Sequence, residues 1–231
     1  MSQTLVLFSG GIDSTTALYW AMARGGTVEA LTFDYGQRHR LEVRAARRIC
    51  RRLGVLQHIL KVDLAQIGGS CLTDIKVPIP SYKDIGGLPE GPPATYVPFR
   101  NGILLALAAA WAEAHGGRDI VCGFNVIDSP NYPDTRRPFI RAMERAINQG
   151  TGAAWSGKKF RILAPFTNMK KSEIIKSGLR SGVDYSYSIS CYGGEEAPCG
   201  KCSSCLLRKK AWEEVGCRDH LVARLERGEK R

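Results

Sequence analysis

The chain has 231 residues, 44% of them hydrophobic, and a formal net charge of +11. That length suits one large domain, or one domain with a small appendage, and the apolar content is enough for a packed core. The sequence lacks a run of about 18 apolar residues, which excludes a membrane-spanning helix, and the opening MSQTLVLFSGG has no basic start of the kind a secretory leader carries; a cytoplasmic location is expected.

TLVLF (4–8) is β-branched and leucine-rich and reads as a buried strand, and helical spacing follows over 15–24. Between them stands SGGIDS. A strand, a Gly-rich loop and a helix aim backbone N–H groups and a helix dipole at one point, which favours an anion such as phosphate. Gly10 and Gly11 let the backbone approach closely. Ser9, Ser14 and Thr15 add hydroxyls, and Asp13 is placed either to hold the loop's amides or to sit near a bound Mg²⁺. An ordinary tight turn with a hydroxyl cap is the plainer reading, but two glycines, three hydroxyls and an acid at a strand end exceed what a turn needs. Neither G-x-x-x-x-G-K-[ST] nor G-x-G-x-x-G is present. SGGIDS instead resembles the pyrophosphate loop of the ATP pyrophosphatases, which cleave ATP between its α- and β-phosphates.

The next elements are a strand over 28–33, a basic helix over 39–53 and a strand over 56–62. This βαβαβ alternation predicts an α/β fold with a parallel, doubly wound sheet, whose ligands sit at the carboxyl ends of the strands. Residues 64–98 are rich in Gly and Pro and read as a long loop, either a surface excursion or a lid. An apolar helix over 100–115, a strand over 119–124, a polar loop over 125–139, a helix over 140–149, a short strand over 159–166 and a helix over 168–182 follow, the last with Asn168 or Ser172 near its start and Gly178 or Gly182 near its end. The basic helix does not choose between nucleotides, nucleic acid and plain solvation. Little aromatic interleaving accompanies it, and nucleic-acid binding is not expected.

Cys199, Cys202 and Cys205 form C-x-x-C-x-x-C, with Cys191 eight residues earlier. Four thiolates close a tetrahedral Zn²⁺ shell with no open position, so a structural zinc is expected, with an iron–sulfur cluster as the competing metal. A helix is expected over 206–215. Residues 1–185 are expected to form the nucleotide-binding domain and 186–231 a zinc-binding helical segment. The other cysteines, Cys50, Cys71, Cys122 and Cys217, read as small core residues.

With both ends in view, the chain resembles the 7-cyano-7-deazaguanine synthases of queuosine biosynthesis over nearly its whole length. The resemblance is carried by FSGGIDSTTAL, LTFDYGQRHRLE (31–42), VPFRN (97–101), YPDTRRPFI (132–140), APFTNMKKSEII (164–175) and SCYGG…PCGKCSSCLLR, in that order. It implies an ATP-dependent ligase that adenylates the carboxylate of 7-carboxy-7-deazaguanine, lets ammonia displace AMP, then activates the amide with a second ATP to leave a nitrile. It implies ATP, Mg²⁺ and Zn²⁺ as cofactors and a homodimer. Phe8, Ser9, Gly10, Gly11, Asp13, Ser14 and Thr15, with Asp34, Gln37 and Arg38, are expected to hold the nucleotide. Tyr35, Arg100, Asn101, Asp134 and Arg136 are expected to hold the deazaguanine acid, Asp134 at its N–H edge and Arg136 at its carboxylate. Lys171, Arg100 and Asp13 are expected to be catalytic, by neutralising phosphate or leaving-group charge. Cys191, Cys199, Cys202 and Cys205 are expected to hold the metal. The family typically reads Tyr-Pro-Asp-Cys-Arg-Pro-Glu-Phe where this chain has Thr135 and Pro138 at the Cys and Glu positions. An enzyme that stops at the amide or uses another amine is therefore one alternative, and a tRNA-modifying enzyme with the same loop is a second.

Overall fold

The computed structural model describes residues 3–128 and 131–229. Five strands form one parallel sheet: β1 (Gln3–Leu7), β2 (Thr27–Asp34), β3 (Leu56–Lys61), β4 (Asp119–Cys122) and β5 (Arg161–Leu163), in the order β3-β2-β1-β4-β5. The chain winds outward to one side through β2 and β3, then returns past β1 to β4. The carboxyl ends of β1 and β4 thus form a topological switch point, where sheets of this kind open a crevice.

The helices are α1 (Ile12–Ala23), α2 (Leu41–Leu53), α3 (Arg100–His115), α4 (Arg137–Gly150), α5 (Gly152–Trp155), α6 (Lys171–Arg180), α7 (Ser203–Val215) and α8 (His220–Glu226). Side chains alternate along each strand, so the sheet buries two separate faces. Leu5, Leu31, Phe33 and Ile120 pack with Leu105 and Ala108 of α3 and Ile140 and Ile147 of α4. Val6, Ala30 and Val121 pack with Ala17 and Leu18 of α1, Ala46 and Ile49 of α2 and Ile174 of α6. The expected doubly wound α/β sheet is therefore present. A third cluster joins Ile12, Ile175, Tyr185, Ala211 and Trp212, which seats α7 against α1 and α6.

Several boundaries differ from the sequence reading for local reasons. α1 starts at Ile12, not 15, because Gly11 accepts from the Thr15 N–H at 2.9 Å. β4 stops at Cys122, because the next residue is pressed on the loop: a Cβ on Gly123 would lie 2.7 Å from the Asp13 carbonyl. α4 begins at Arg137 with Pro138 in its first turn, a position where a missing N–H costs nothing. α6 is capped at Lys170, whose N–H donates to Glu173 Oε2 at 2.7 Å, not at Asn168 or Ser172; Gly178 lies inside it. α5, α8 and two 3₁₀ turns, Ile85–Gly87 and Pro133–Thr135, were not expected.

The 64–98 segment is tied down along its length. Arg38 Nη1 and Nη2 donate to the carbonyls of Val77 (2.8 Å) and Ile75 (3.0 Å). The Cys71 N–H donates to Ala94 O at 2.9 Å, and the Tyr82 N–H to Lys201 O at 2.8 Å. Asn131 Nδ2 donates to Pro89 O at 2.6 Å.

Candidate active site

A cavity of about 690 Å³ opens at the switch point. Its floor is the loop after β1. Gly10 has φ +79, and a Cβ there would lie 2.7 Å from the Ala46 backbone nitrogen, so α2 and the loop meet only through a glycine. The loop is braced by hydroxyls: Ser14 Oγ and Thr15 Oγ1 donate to Gly11 O at 3.1 and 2.7 Å, and the Ser9 and Ser14 hydroxyls are 3.1 Å apart. Ile12, Asp13 and Ser14, whose N–H groups open α1 without a partner within the helix, line the cavity, an arrangement suited to cradling an anion.

Beside the cradle stands one ion pair. Lys171 Nζ donates to Asp13 Oδ2 at 2.7 Å, and both side chains are mostly buried. The Lys171 backbone N–H donates to Asp128 Oδ2. Asn125, in the loop three residues past β4, donates from Nδ2 to Met169 O at 2.6 Å and accepts from the Asp128 N–H at 3.2 Å. Three loops are thereby locked around Lys171. Asp13 Oδ1 is buried and lacks a hydrogen-bond partner.

The other end is aromatic. Phe99 has φ +52, a left-handed backbone rare outside glycine, and turns the chain so that α3 opens with Arg100 on the cavity wall. Arg100 Nη1 donates to Tyr35 Oη at 3.3 Å, and Nη2 to Asn101 Oδ1 at 3.4 Å. Although burial opposes its charge, the Tyr35 hydroxyl and Glu42 hold the Arg100 pKa above its ordinary value. Burial pushes the Tyr35 and Tyr192 phenols up, and burial likewise raises the Glu42 carboxyl against the pull of His39 and Arg100. Tyr132 lines the same wall and hydrogen-bonds Thr95 at 2.9 Å.

The four expected cysteines converge: the sulfurs of Cys191, Cys199, Cys202 and Cys205 all lie within 4.8 Å of one another, and the Cys199–Cys205 pair is 3.9 Å apart. A tetrahedral shell with metal–sulfur bonds of about 2.3 Å places sulfurs roughly 3.8 Å apart, so the set fits a metal ion. The N–H groups of Gly193 and Cys202 donate to Cys191 Sγ and Cys199 Sγ at 3.3 and 3.4 Å, as thiolate ligands require. The cluster abuts the cavity: Tyr192 follows Cys191, and Ser203, Ser204 and Leu207 line the wall.

The family model described as "Queuosine biosynthesis protein QueC" matches residues 3–216. The chain belongs to the QueC family. A protein named "7-cyano-7-deazaguanine synthase" from Azotobacter vinelandii is 46% identical over 94% of this chain and 96% of its own length. One of the same name from Pseudomonas fluorescens is 44% identical over the same shares. Among solved structures, a 4-thiouridine synthetase in complex with RNA and bound ATP is similar with a TM-score of 0.52, at 21% identity over 97% of this chain and 53% of that one. A predicted tRNA methyltransferase subunit from Methanocaldococcus jannaschii is similar with a TM-score of 0.50, at 15% identity over 78% and 75%. At such identities these two speak for the fold alone.

Of the residues singled out in this QueC chain, Phe8, Ser9, Gly11, Asp13, Ser14, Tyr35, Arg100, Asn101 and Lys171 line the cavity. Others stand behind it. Gly10 and Thr15 shape the loop from beneath. Asp34 pairs with Arg40 at 3.5 Å. Gln37 accepts from the Tyr35 N–H at 2.7 Å and donates to Phe33 O, fixing the turn after β2. Arg38 fastens the 64–98 segment. Asp134 is buried beneath α3 and accepts the Asn101 N–H at 3.0 Å. Arg136 is exposed. Thr135 lines the cavity and donates to Tyr132 O at 2.8 Å, whereas Pro138 is exposed at the start of α4. The sequence reading passed over Glu42, Asn125, Asp128, Tyr132 and Tyr192; for Asn125 the rule placing ligands at strand ends was the available signal.

Proposed function

We propose that this protein converts 7-carboxy-7-deazaguanine, ammonia and ATP into 7-cyano-7-deazaguanine, with AMP and pyrophosphate as the other products. Supporting this reading is a phosphate cradle at the switch point, braced by Lys171, in a chain 46% identical to a synthase of that name. The cavity volume falls in the range of about 300–1,000 Å³ usual for small-molecule sites.

In the proposed reaction the substrate carboxylate attacks the ATP α-phosphorus and pyrophosphate leaves. Ammonia then adds to the acyl carbon, AMP leaves, and an amide forms. The amide oxygen then attacks the α-phosphorus of a second ATP, a second pyrophosphate leaves, and loss of AMP and of the nitrogen-bound protons gives the nitrile. The loop from Phe8 to Ser14 holds the β- and γ-phosphates through backbone N–H groups. Lys171 neutralises charge that grows on the bridging oxygen as pyrophosphate departs. The orphaned Asp13 Oδ1 suits a Mg²⁺ carried in with the nucleotide. Arg100 meets the substrate from the aromatic end of the cavity, beside Tyr35.

We assign the four cysteines to a Zn²⁺ with no open position, hence a structural ion that fastens the 186–231 segment to the 1–185 nucleotide domain. A cytoplasmic homodimer completes the reading.

The test is a product assay by mass spectrometry with ATP, Mg²⁺, ammonium and 7-carboxy-7-deazaguanine. Nitrile with AMP is the expected outcome. An amide that accumulates without nitrile identifies an amide-forming enzyme, and the absence of substrate-dependent AMP overturns the proposal.

A further inference from the structure

Among the described residues, four carboxylates line the cavity: Asp13, Glu42, Glu90 and Asp128. Three are accounted for. Asp13 pairs with Lys171, Asp128 accepts the Lys171 N–H, and Glu90 is exposed on the rim within the 64–98 segment. Glu42, in the first turn of α2, has its backbone carbonyl against Gly10 of the loop, while its carboxylate lines the cavity within reach of the charge of Arg100 on the aromatic wall. The groups whose charges act on it or feel it are His39, Arg100, Tyr35 and Tyr192, none of which touches the Asp13–Lys171 pair. The surface around it is aromatic, with Phe33, Tyr35, Tyr132 and Tyr192 all on the wall.

A planar bicyclic base whose edge carries a ring N–H and an exocyclic amino group offers two parallel donors. A carboxylate is the one side-chain group that accepts both, and being charged it makes both bonds strong. Adenine offers an amino donor beside a ring acceptor, which a carboxylate repels, and a triphosphate is repelled outright. The acid group of the proposed substrate lies on the five-membered ring and must reach the α-phosphate. Its N–H edge therefore faces away from Gly11 and Lys171.

We infer that Glu42 is the residue that selects the deazaguanine, accepting its ring N–H and 2-amino group while the tyrosine rings border the base. The inference rests on the function proposed above. It assigns to Glu42 the role that the sequence suggested for Asp134, which lies behind the wall with Oδ2 on the Asn101 N–H and does not line the cavity as Glu42 does.

The experiment compares steady-state kinetics of the wild type and Glu42→Gln on two acids: 7-carboxy-7-deazaguanine and its analogue lacking the 2-amino group. The wild type is expected to prefer the first by about tenfold or more, since a site built for a donor is left unpaired by the analogue. In Glu42→Gln that preference collapses, KM for the full acid rises about tenfold or more, and KM for ATP stays within about twofold, well under the roughly 1.4 kcal/mol that a tenfold change represents. Equal use of both acids by the wild type overturns the inference without needing any variant. A rise in KM for ATP alone also overturns it and places Glu42 on the nucleotide. A wild type that makes no AMP with either acid overturns the proposed function and this inference with it; a wild type active on both without preference overturns this inference alone.

Discussion

Lys171 Nζ and Asp13 Oδ2 meet at 2.7 Å across 158 residues of sequence. The contact joins the start of α6 to the start of α1, and it is the point where the cradle gains a positive charge. Since Asp128 holds the Lys171 backbone, the ammonium is fixed at both ends before any nucleotide arrives. Preorganised charge of this kind acts on a transition state without paying for reorganisation. Lys171→Met is expected to lower the rate of AMP formation by about 100-fold or more. Asp13, left without its partner in a mostly buried place, makes the fold less stable by about 1–3 kcal/mol. Single-turnover pyrophosphate release and urea denaturation measure the two separately; loss of stability with an unchanged rate would restrict Lys171 to a structural role.

A second prediction concerns a buried arginine behind the cradle. Arg208, 2% exposed, donates from Nε and Nη2 to Asp219 at 2.5 and 2.7 Å and from Nη1 to Ser188 O at 2.8 Å. The next residue, Ile189, donates its N–H to Gly10 O at 3.0 Å, so the arginine supports the cradle from behind. Removing one partner of a buried pair is strongly destabilising, whereas replacing both by apolar groups is often nearly neutral. Arg208→Met is expected to cost about 3–5 kcal/mol, and adding Asp219→Leu to recover part of it. The recovery is incomplete because Asp219 also caps α8 through the Leu221 N–H at 2.9 Å. Urea midpoints of the two variants test this, and equal losses in both would show that the pair is not the source.

Metal loss should be readable as thiol chemistry. Cys217 is exposed, while Cys50, Cys71 and Cys122 are buried. Burial pushes the Cys50 thiol up to about 12, so at neutral pH it stays protonated and unreactive. The metal-loaded protein is expected to alkylate at Cys217 alone. After chelation, Cys191, Cys199, Cys202 and Cys205 join it, while the three buried thiols remain unmodified. Peptide mass spectrometry after brief iodoacetamide treatment gives the count, and early labelling of the four cysteines before chelation would show that they do not hold an ion.

The parts of this architecture legible in the sequence are those where one local rule dominates. TLVLF followed by SGGIDS names strand, loop and helix because apolar run, glycine and hydroxyl all agree there. The cysteine spacing announces its own convergence. Glu42 was not legible, since in RHRLEVRAARR it reads as one charge on a solvated basic helix. Only the packing of α2 under the loop, through Gly10 and Ala46, turns its first turn toward the cavity. Asp134 shows the opposite case: an acid in a polar loop suggests ligand contact, and in the structure Oδ2 serves the N-terminus of α3, where a carboxylate is favoured by unpaired N–H groups, while Oδ1 is buried without a hydrogen-bond partner. The bonds of Arg38 were not legible either, because the carbonyls it serves lie 33 to 39 residues away.

Gly178 illustrates the same limit and yields a test of the packing behind the site. Sequence rules place a glycine near a helix end, but this one lies inside α6. A Cβ there would fall 1.8 Å from Tyr185 Oη. That hydroxyl is 2.7 Å from Thr16 Oγ1 of α1, and its ring meets Trp212 edge-on at 5.6 Å. The glycine thus makes room for the tyrosine that ties α1, α6 and α7 together. Alanine is the better helix former by about 1 kcal/mol, so propensity alone predicts stabilisation of Gly178→Ala. Packing predicts the reverse: Tyr185 must shift and lose Thr16, at a net cost of about 1–3 kcal/mol. Tyr185→Phe in the Gly178→Ala background removes the clashing oxygen and should recover part of the loss. Thermal unfolding of the wild type and these two variants decides between the two forces, and a raised melting temperature for Gly178→Ala would show that α6 has room the contact denies.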